Sequence, residues 1–360
     1  MKSSITYEAS GVSADRAESA LSRLLALIGD THTRQQGPGS LKLPIGFFAN
    51  VLDLGQKMGL AISTDGVGSK LLLAQEMDRY TTIGIDCVAM NVNDVLCVGA
   101  DPISLVDYIA VQESDPDYIA LIAEGLAEGC KQADINISGG EIAQLRDVLR
   151  GVENKFAFDL VGTCVGVVST DRIIVGRELA DGDAIIGIRS SGVHSNGLTL
   201  IRKILLEHCG YSVHAEIPEL GRSLGEELLT PTLIYAANIR ALLASQVQVK
   251  GIANITSDGV LNLSRLYADV DYNIDHLPEP QPIFRLVQEK GGVSDAEMYQ
   301  TFNMGIGFCV IVAREDAEAA MQLIRDSGGD PFEMGAVASP GNKLVKIPEL
   351  ELQGTGHNFL

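Results

Sequence analysis

A six-residue turn between a short apolar run and a helix-like segment combines residue types that bind phosphate. Its members, in chain order, are Asp65, Gly66, Val67, Gly68, Ser69 and Lys70. Glycines let the backbone approach an oxyanion, a helix start offers N–H groups, and a lysine adds a positive charge. Asp65 would repel phosphate unless a magnesium ion lay between them. The turn lacks the GxxxxGK[ST] signature of a P-loop, and an Asp-Gly turn with a surface lysine remains the alternative.

The segment from Asp86 to Ala100 is predicted to be a helix that is apolar on nearly every side. Asp94 lies four residues after Met90 and seven after Cys87, so these three side chains share one helix face. A carboxylate on such a face is costly unless it is paired or binds a metal, and we therefore predict that Asp94 binds magnesium. Asp86 opens the helix, where a metal ligand and a helix N-cap are equally good interpretations.

Two further acidic positions lie on predicted strands. A glycine pair followed by a carboxylate ends one of these strands, as Gly139, Gly140 and Glu141. Such a turn can hold a second metal ion or a substrate amine, although taken alone it indicates no more than a turn. Asp107 lies inside an apolar strand, where it is either structural or a ligand of a polar substrate.

A donor-rich loop is predicted between a strand and a helix in the second half of the chain. It runs from Arg189 to Gly197 and includes three serines, one histidine, one asparagine and two glycines. Such donors at a helix start suit a phosphate or ribose group, so we predict substrate binding by Ser191, His194, Ser195 and Asn196. A Ser/His/Asp hydrolase is the rival interpretation, but the GxSxG elbow is absent. A surface histidine without function is the other alternative.

The order of predicted elements indicates the fold class. From residue 58 onward, short apolar runs alternate with helix-like segments in both halves. Long strand-rich stretches interrupt this alternation, so we predict an α/β protein of two domains with mixed sheets. A polar stretch at 169–183 marks the boundary between domains at 1–168 and 169–345. Residues 346–360 are predicted to form a loosely ordered tail.

Some segments outside the candidate sites also carry predictions. Helical spacing predicts an amphipathic helix at 12–29, a β-branched run predicts a strand at 81–85, and a single helix is predicted at 228–244. Residues 31–50 are rich in glycine and proline and contain Arg34 and Lys42 but no acid. A cationic loop in an acidic chain is a candidate cover for phosphates, although a plain solvated loop is the simpler interpretation.

The composition excludes several classes of function. The chain has 360 residues, a formal net charge of -20, 46% hydrophobic residues and no tryptophan. An acidic protein is a poor partner for nucleic acid or an anionic membrane, so we expect neither. The six cysteines form no CxxC pair, the N-terminus lacks a signal-peptide core, and no apolar run is long enough to span a bilayer. We therefore predict a cytoplasmic protein that acts on a small molecule.

Several stretches, taken together and in this order, resemble the aminoimidazole ribonucleotide synthetase family, also called phosphoribosylformylglycinamidine cyclo-ligases. They are STDGVGSK at 63–70, TIGIDCVAMNVNDVLCVGADP at 82–102, LVDYIA at 105–110, AEGCKQA at 127–133, GGE at 139–141, DLVGTCVGVV at 159–168, SSGVHSNGLTLIRKIL at 190–205, LLTPTLIY at 228–235 and EMYQTFNMGIGF at 297–308. The resemblance starts at Tyr7 and extends to about residue 338, which is nearly the whole chain.

This resemblance implies two α/β domains, a homodimer formed through the N-terminal sheets, and a reaction of formylglycinamidine ribonucleotide with ATP. ATP would phosphorylate the formyl amide oxygen, and the amidine nitrogen would then close the imidazole ring. Magnesium would bind at Asp65, Asp86 and Asp94. The positions implied for nucleotide binding are Lys42, Gly66, Gly68, Ser69, Asp107, Gly139, Gly140 and Glu141. Those implied for catalysis are Asp65, Lys70 and His194, and those implied for the ribonucleotide are Ser191, His194, Ser195, Asn196 and Thr232.

The chain departs from the family pattern at a few positions. The family's threonine after Val-Gly is Ser69, the family's Thr-Ala-Glu-Met-Pro after Gly-Gly-Glu is replaced by a different sequence from Ile142, and the family's Thr-Gly-Gly-Gly is Thr-Ser-Asp-Gly at 256–259. Asp258 adds negative charge and is expected either to weaken phosphate binding or to recruit a cation. Two alternatives therefore stay open: a related ATP-dependent kinase or synthetase with another acceptor, and a non-catalytic nucleotide-binding paralogue.

Overall fold

The computed structural model of the protein describes residues 14–34 and 36–360. The helices and strands of its N-terminal half are α1 (Ala14–Ile28), β1 (Asn50–Gly55), β2 (Met58–Gly66), α2 (Lys70–Met77), α3 (Thr81–Leu96), β3 (Asp101–Val111), α4 (Pro116–Ala133), β4 (Asn136–Gln144) and β5 (Phe158–Ser169). The helix predicted at 12–29 is confirmed as α1, while its first two predicted residues and Tyr7 lie outside the described range.

The C-terminal half begins after the polar stretch at 169–183. Its helices and strands are β6 (Ala184–Arg189), α5 (Leu198–Ile201), β7 (Glu216–Ile217), β8 (Arg222–Ser223), α6 (Leu224–Leu228), α7 (Ala236–Leu243), β9 (Val249–Asn254), β10 (Asp271–Ile274), α8 (Pro282–Gly291), α9 (Asp295–Thr301), β11 (Ile306–Val312), α10 (Ala317–Asp326), β12 (Pro331–Ala338), β13 (Val345–Ile347), β14 (Leu352–Thr355) and β15 (Asn358–Phe359). A π-helical segment, Arg202–His208, continues α5, and a 3-10 helix, Gly259–Arg265, follows β9.

The N-terminal half is built on a sheet whose described strands lie in the order β1-β2-β5-β3-β4. Neighbouring strands are antiparallel except β3 and β4, which are parallel. Helix α3 packs on β2 and β5, and α4 packs on α3. The ring of Tyr80, just before α3, lies 4.9 Å from Tyr118 of α4 and 5.7 Å from Phe158 of β5, so an aromatic cluster fixes the helices on the sheet.

The C-terminal half is built on a larger sheet, whose described strands lie in the order β15-β14-β13-β10-β12-β6-β11-β9. The β10–β13 pair is parallel and the other pairs are antiparallel. Every residue of β11 is buried, because this strand lies in the sheet interior between β6 and β9. The prediction of two α/β domains with mixed sheets is confirmed. Among the described residues, no helix is long and apolar enough to cross a membrane.

Two predicted elements are wrong, and both errors have a local cause. Residues 81–85 were expected to form a strand but are the first turns of α3, because an aromatic cluster and a buried apolar surface outweigh β-branched propensity. The helix predicted at 228–244 is broken, since α6 ends at Leu228 and α7 begins at Ala236. The backbone in this gap instead bonds across the domain junction, with Thr232 N donating to Asp86 and Thr230 O accepting from Lys70.

The tail predicted at 346–360 to be loosely ordered is ordered in the structure. Strand β13 pairs with β10 and β14, and β14 forms a hairpin with β15 at the edge of the large sheet. Ile347 is buried, and Leu352 and Phe359 pack against the hydrophobic core. The error arose because the segment is short and rich in turn residues, whereas its strands are stabilised by pairing with a sheet that already exists.

Candidate functional site

Two of the predicted carboxylates lie in one row across the N-terminal sheet. Asp65 of β2 pairs with Gly162 of β5, Gly162 also pairs with Asp107 of β3, and Asp107 pairs with Gly140 of β4. Neighbouring strands are about 4.8 Å apart, so the backbones of the two acids are separated by about 10 Å with a glycine between them. The row therefore places two carboxylates beside two positions that lack side chains.

Helix α3 covers this row with polar groups. A Cβ atom on Gly162 would lie 2.6 Å from Asn91 Nδ2 and 3.0 Å from Cys87 Sγ, so the glycine is what lets the helix approach the strand. Asn91 Nδ2 donates to the backbone oxygen of Asp65 at 3.1 Å and to that of Cys87 at 2.8 Å. Asn91 Oδ1 is buried and has no hydrogen-bond partner among the described residues. A buried acceptor without a partner is costly unless a ligand completes it.

Asp94 lies one turn further along α3 and meets the C-terminal half. Asn254 Nδ2, at the end of β9, donates to Asp94 Oδ1 at 2.9 Å. Burial raises the pKa of Asp94 to about 7, and the nearby charge of Asp65 also raises this pKa. The hydrogen bond from Asn254 has the opposite effect, because it stabilises the ionised carboxylate. Burial also raises the pKa of Asp65 and that of Asp107. Carboxyls desolvated in this way mark a candidate ligand site.

The donor set fits a magnesium ion at Asp65 and Asp94. Magnesium is bound through one or two carboxylates together with phosphate oxygens and water, and Asn91 Oδ1 adds a hard oxygen that lacks a partner. The predicted three-acid set is wrong, because Asp86 is used elsewhere. In the part of the chain that the structure describes, no group of three histidine, cysteine or acidic side chains comes close enough to hold a metal.

Asp86 instead forms a buried ion pair with Lys70. Both side chains have zero exposure, and Lys70 Nζ lies 2.8 Å from Asp86 Oδ2. Lys70 Nζ also donates to Asp86 Oδ1 at 2.9 Å, to the backbone oxygen of His194 at 3.1 Å and to that of Thr230 at 2.8 Å. An ammonium group has three protons, so Lys70 is saturated. The prediction that Lys70 contacts a phosphate is corrected: its charge lies inside the domain junction.

The C-terminal half supplies the other donors to Asp86. Thr232 donates to Asp86 Oδ1 from its backbone N at 2.8 Å and from its hydroxyl at 2.7 Å, and Ser195 Oγ donates at 3.1 Å. Ser191 Oγ donates to the backbone oxygen of Pro231 at 2.6 Å. These three hydroxyls bond within the protein, whereas they were predicted to bind the ribonucleotide.

His194 is also internal. Its side chain is buried, its backbone adopts a left-handed φ of 57°, and its Nε2 accepts from Ser191 N at 3.3 Å. Burial, together with the charge of Lys70, lowers the pKa of His194 to about 3. The imidazole of His194 is thus enclosed and bonded within the protein in this structure, and its catalytic role stays a prediction.

We expect the imidazole of His194 to stay neutral from pH 8 down to about pH 4, since burial holds its pKa near 3. The Cε1–H chemical shift in NMR spectra, assigned with a His194→Asn variant, is expected to be flat over this range. The same protein unfolded in denaturant serves as the control, because its histidines titrate near pH 6.5. An inflection between pH 5 and 8 in the folded protein would contradict this assignment.

The remaining predicted residues lie at the edges of the site. Lys42 Nζ is 3.4 Å from Asp53 Oδ2 of β1, and Ser69 Oγ is 3.0 Å from Thr199 Oγ1 across the domain junction. Asn196 is half-buried in the 189–197 loop. Asp107 opens into a cavity of about 530 Å³ between β4 and α4, and its lining also includes Gly140, Glu141, Ile119 and Ala123. Gly66 and Gly68 form the turn before α2, and Gly139 lies on β4.

Family models match both halves of the chain. The model described as "AIR synthase related protein, N-terminal domain" matches residues 48–168, and the one described as "AIR synthase related protein, C-terminal domain" matches residues 180–348. The chain belongs to the AIR synthase related family.

Two curated relatives of this member of the AIR synthase related family share a name. A phosphoribosylformylglycinamidine cyclo-ligase of Methanothermobacter thermautotrophicus is 45% identical over 340 residues, which is 94% of this chain and 96% of the relative. One from Methanocaldococcus jannaschii is 41% identical over 347 residues, which is 95% of each chain.

Solved structures similar to this member of the AIR synthase related family show the same fold at low identity. Thiamine-monophosphate kinase from Stenotrophomonas maltophilia gives a TM-score of 0.62 at 19% identity, covering 86% of this chain and 92% of that one. The hydrogenase maturation protein HypE in complex with ATP gives 0.56 at 20% identity, covering 84% of each.

Sequence reasoning missed several residues of this AIR synthase related site. From the C-terminal half, Asn254 donates a hydrogen bond to Asp94, and the charge of Arg265 lowers the pKa of Asp94. The backbone oxygen of Thr230 accepts one of the three hydrogen bonds of Lys70. Asn254 ends a buried apolar strand just as Asp65 does, and that shared pattern was the available signal. Asp258 pairs with Arg265, whose Nη2 donates to its Oδ2 at 3.1 Å, while its expected effect on phosphate or cation binding stays a prediction.

Gly140→Ala is expected to lower the activity of this family member by about tenfold. Displacing a side chain of a site by about 1 Å can lower the rate by this factor or more. A Cβ atom at Gly140 would lie 2.5 Å from Asp107 Oδ1 and would force that carboxylate to move. Gly29→Ala is the control, since nothing lies within 4 Å of a Cβ there and Gly29 is outside the site. Steady-state rates of both variants test this, and equal rates would show that the position of Asp107 is unimportant.

Proposed function

We propose that the protein is an ATP-dependent cyclo-ligase that converts formylglycinamidine ribonucleotide to aminoimidazole ribonucleotide in purine synthesis. The observation that carries this proposal is the 41–45% identity, across more than nine-tenths of the chain, to relatives named phosphoribosylformylglycinamidine cyclo-ligase. The alternative, a related kinase or synthetase with another acceptor, is supported only by solved structures at about 20% identity. At that identity the likeness supports the fold alone.

ATP is the proposed phosphoryl donor. Solved structures of similar fold include the HypE complex with ATP, and AaThiL complexed with AMPPCP and TMP at a TM-score of 0.62. Asp65, beside the glycine turn before α2, and Asp94 on α3 are carboxyls whose pKa values burial raises, and they support the same choice. We propose that Gly66, Gly68 and Ser69 approach the phosphates, that Asp107 and the Gly139–Glu141 segment line the nucleotide side, and that Lys42 lies on the loop nearest to them.

The proposed chemistry removes a poor leaving group. The formyl amide oxygen attacks the γ-phosphorus of ATP, ADP departs, and an iminophosphate forms. The amidine nitrogen then adds to the imidate carbon, and inorganic phosphate leaves with the original oxygen while a proton is lost to solvent. The net change is ribonucleotide plus ATP giving the aminoimidazole product, ADP, phosphate and a proton. Enzymes accelerate such transfers mainly by positioning and by electrostatic stabilisation.

Magnesium is the proposed metal, with Asp65, Asp94 and the oxygen of Asn91 as its protein ligands. When bound, it would neutralise charge on the transferring phosphoryl group. Asn254 holds the Asp94 carboxylate in place through its 2.9 Å hydrogen bond. We propose that Asn196 faces the ribonucleotide, while Ser191, Ser195 and Thr232 keep its loop fixed to the domain junction rather than binding substrate.

We also propose a homodimer formed through the N-terminal sheet, as expected from the sequence. All residues of β4 except Ala143 are exposed, and so are Ile103, Val106 and Tyr108 of β3. An exposed strand edge beside apolar side chains is a ready surface for pairing with a second copy. Sedimentation of the wild type should give twice the chain mass, and Val106→Glu should give a monomer. A monomeric wild type would refute the dimer.

The assay that tests the function combines purified protein, magnesium, ATP and formylglycinamidine ribonucleotide. ADP release that requires the ribonucleotide, with aminoimidazole product of matching amount, supports the cyclo-ligase. ADP release only with another small acceptor would favour a related synthetase, and tight ATP binding without turnover would favour a non-catalytic paralogue. We propose a cytoplasmic location, which the six unbridged cysteines support.

A further inference from the structure

Arg265 lies where segments from both halves of the molecule meet. Its guanidinium carbon is 5.1 Å from the centre of the Phe48 ring, and its Nη2 donates to Asp258 Oδ2 at 3.1 Å. It is also close enough to Asp94 for its charge to lower the pKa of that carboxyl, against the larger opposing effect of burial. One side chain therefore contacts an N-terminal aromatic ring and a C-terminal acid beside the candidate metal site.

The N-terminal partner belongs to a loop of residues 41–49, which we call the 41–49 loop. Phe48 is buried, and the Phe47 ring packs edge-on against Tyr267 of the C-terminal half at 5.7 Å. Arg177 in turn lies 5.2 Å over the Tyr267 ring. The loop also carries Lys42. Its aromatic residues thus contact the opposite half of the molecule, while its backbone is bonded to β1 through Lys42 N and Val51 O.

Asp258, the C-terminal partner of Arg265, is contacted on its other side by the β14–β15 hairpin. His357 Nδ1, in the hairpin turn, lies 3.0 Å from Asp258 Oδ1. Gly356 N donates to Ser264 Oγ, one residue before Arg265, at 3.0 Å. Asp258 has a left-handed φ of 76°, and both of its carboxylate oxygens are used, one by Arg265 and one by His357. A continuous chain of contacts therefore joins His357, Asp258, Arg265 and Phe48.

We propose that Arg265 is a positioning residue that holds the 41–49 loop beside Asp94, and that the C-terminal hairpin supports it through His357 and Asp258. This inference rests on the proposed function, because it takes the loop with Lys42 to face the nucleotide. Arginine suits the role since its planar guanidinium can stack on a ring and pair with a carboxylate at once. Lysine would keep the ion pair but would stack poorly.

The claim that Arg265 holds the 41–49 loop in place is tested without substrate. Hydrogen exchange of peptides spanning the 41–49 loop is expected to be faster in Arg265→Ala than in the wild type, to a smaller degree in His357→Ala, and to return toward wild type in His357→Asn, which keeps a donor. Arg325→Ala is the control, because Arg325 forms a more exposed ion pair with Glu318, at 3.3 Å, elsewhere in the C-terminal half. Unchanged loop exchange in Arg265→Ala would overturn the proposal.

The catalytic part is tested by separating the two substrates. Arg265→Ala is expected to raise KM for ATP about tenfold, the scale of a lost cation–π contact and ion pair, while KM for the ribonucleotide changes by less than about twofold. The KM of Arg265→Lys for ATP should lie between that of the wild type and that of Arg265→Ala. A rise confined to the ribonucleotide would overturn the assignment. If the wild type shows no turnover with this ribonucleotide, the proposed function fails, whereas loop exchange and calorimetric binding of an ATP analogue still decide the inference.

Discussion

Lys70→Met is expected to lower the thermal midpoint by about 10 °C, since breaking a buried ion pair costs about 3–5 kcal/mol. The substitution removes the positive charge and leaves the Asp86 carboxylate inside the junction with zero exposure. A buried charge without its partner is far more costly than the absence of both charges. Differential scanning calorimetry measures the midpoint directly.

Two variants make the Lys70 result specific. Lys57→Met breaks an ion pair of 2.7 Å whose side chains are 76% and 58% exposed, so its midpoint should move by no more than about 2 °C. Lys70→Met combined with Asp86→Asn removes both charges and keeps an acceptor for Thr232, so much of the loss should be recovered. A double variant as unstable as Lys70→Met would contradict the ion-pair explanation.

Asp94→Asn is expected to lower kcat by about two orders of magnitude or more, the scale of losing a preorganised electrostatic group. In buffer with a chelator, the same variant should be more stable than the wild type at pH 8 by several degrees, because the buried carboxylate no longer has to ionise. The amide oxygen can still accept from Asn254, so the fold is retained.

The pH dependence of this gain in stability follows from the direction in which folding shifts the pKa of Asp94. The folded pKa of Asp94, about 7, lies above its ordinary value of 3.8, so folding favours the protonated form. Its contribution to stability is complete below the ordinary pKa and is lost as pH rises through the folded pKa. The stability difference between variant and wild type should therefore grow from pH 4 to pH 8. Asp147→Asn, at an exposed position, is the control and should show no such trend. Full activity in Asp94→Asn would remove Asp94 from the site.

Local patterns in the sequence were sufficient for most elements of the fold. Short apolar runs alternating with helix-like segments predicted the α/β class, and helical spacing predicted α1. They failed at 81–85 and at 228–244, where contacts from distant parts of the chain decide the conformation. The break around Pro231 exists because its neighbours bond to Lys70 and Asp86, more than 140 residues away in sequence.

The candidate site was predictable in composition but not in geometry. Asp94 was identified because a carboxylate on an apolar helix needs a partner, and that reasoning needs no structure. Asp86 and Lys70 satisfied the same criteria for a ligand site, yet they pair with each other, and only the packing of the two halves shows which acids face which cations. His194 looked like a loop donor, whereas its enclosed ring accepts from Ser191 N and its backbone oxygen accepts from Lys70.

The buried Lys70–Asp86 pair also limits how the molecule can move during turnover. Swinging the two halves apart would expose two charges whose other bonds cross the same boundary, at a cost comparable to local unfolding. Opening by separation of the two halves is therefore disfavoured, and a segment that opens during turnover would have to move by itself. Phe47 and Phe48 cross the same boundary through contacts with the Tyr267 ring and with Arg265, and separating these contacts would leave Arg265 paired with Asp258.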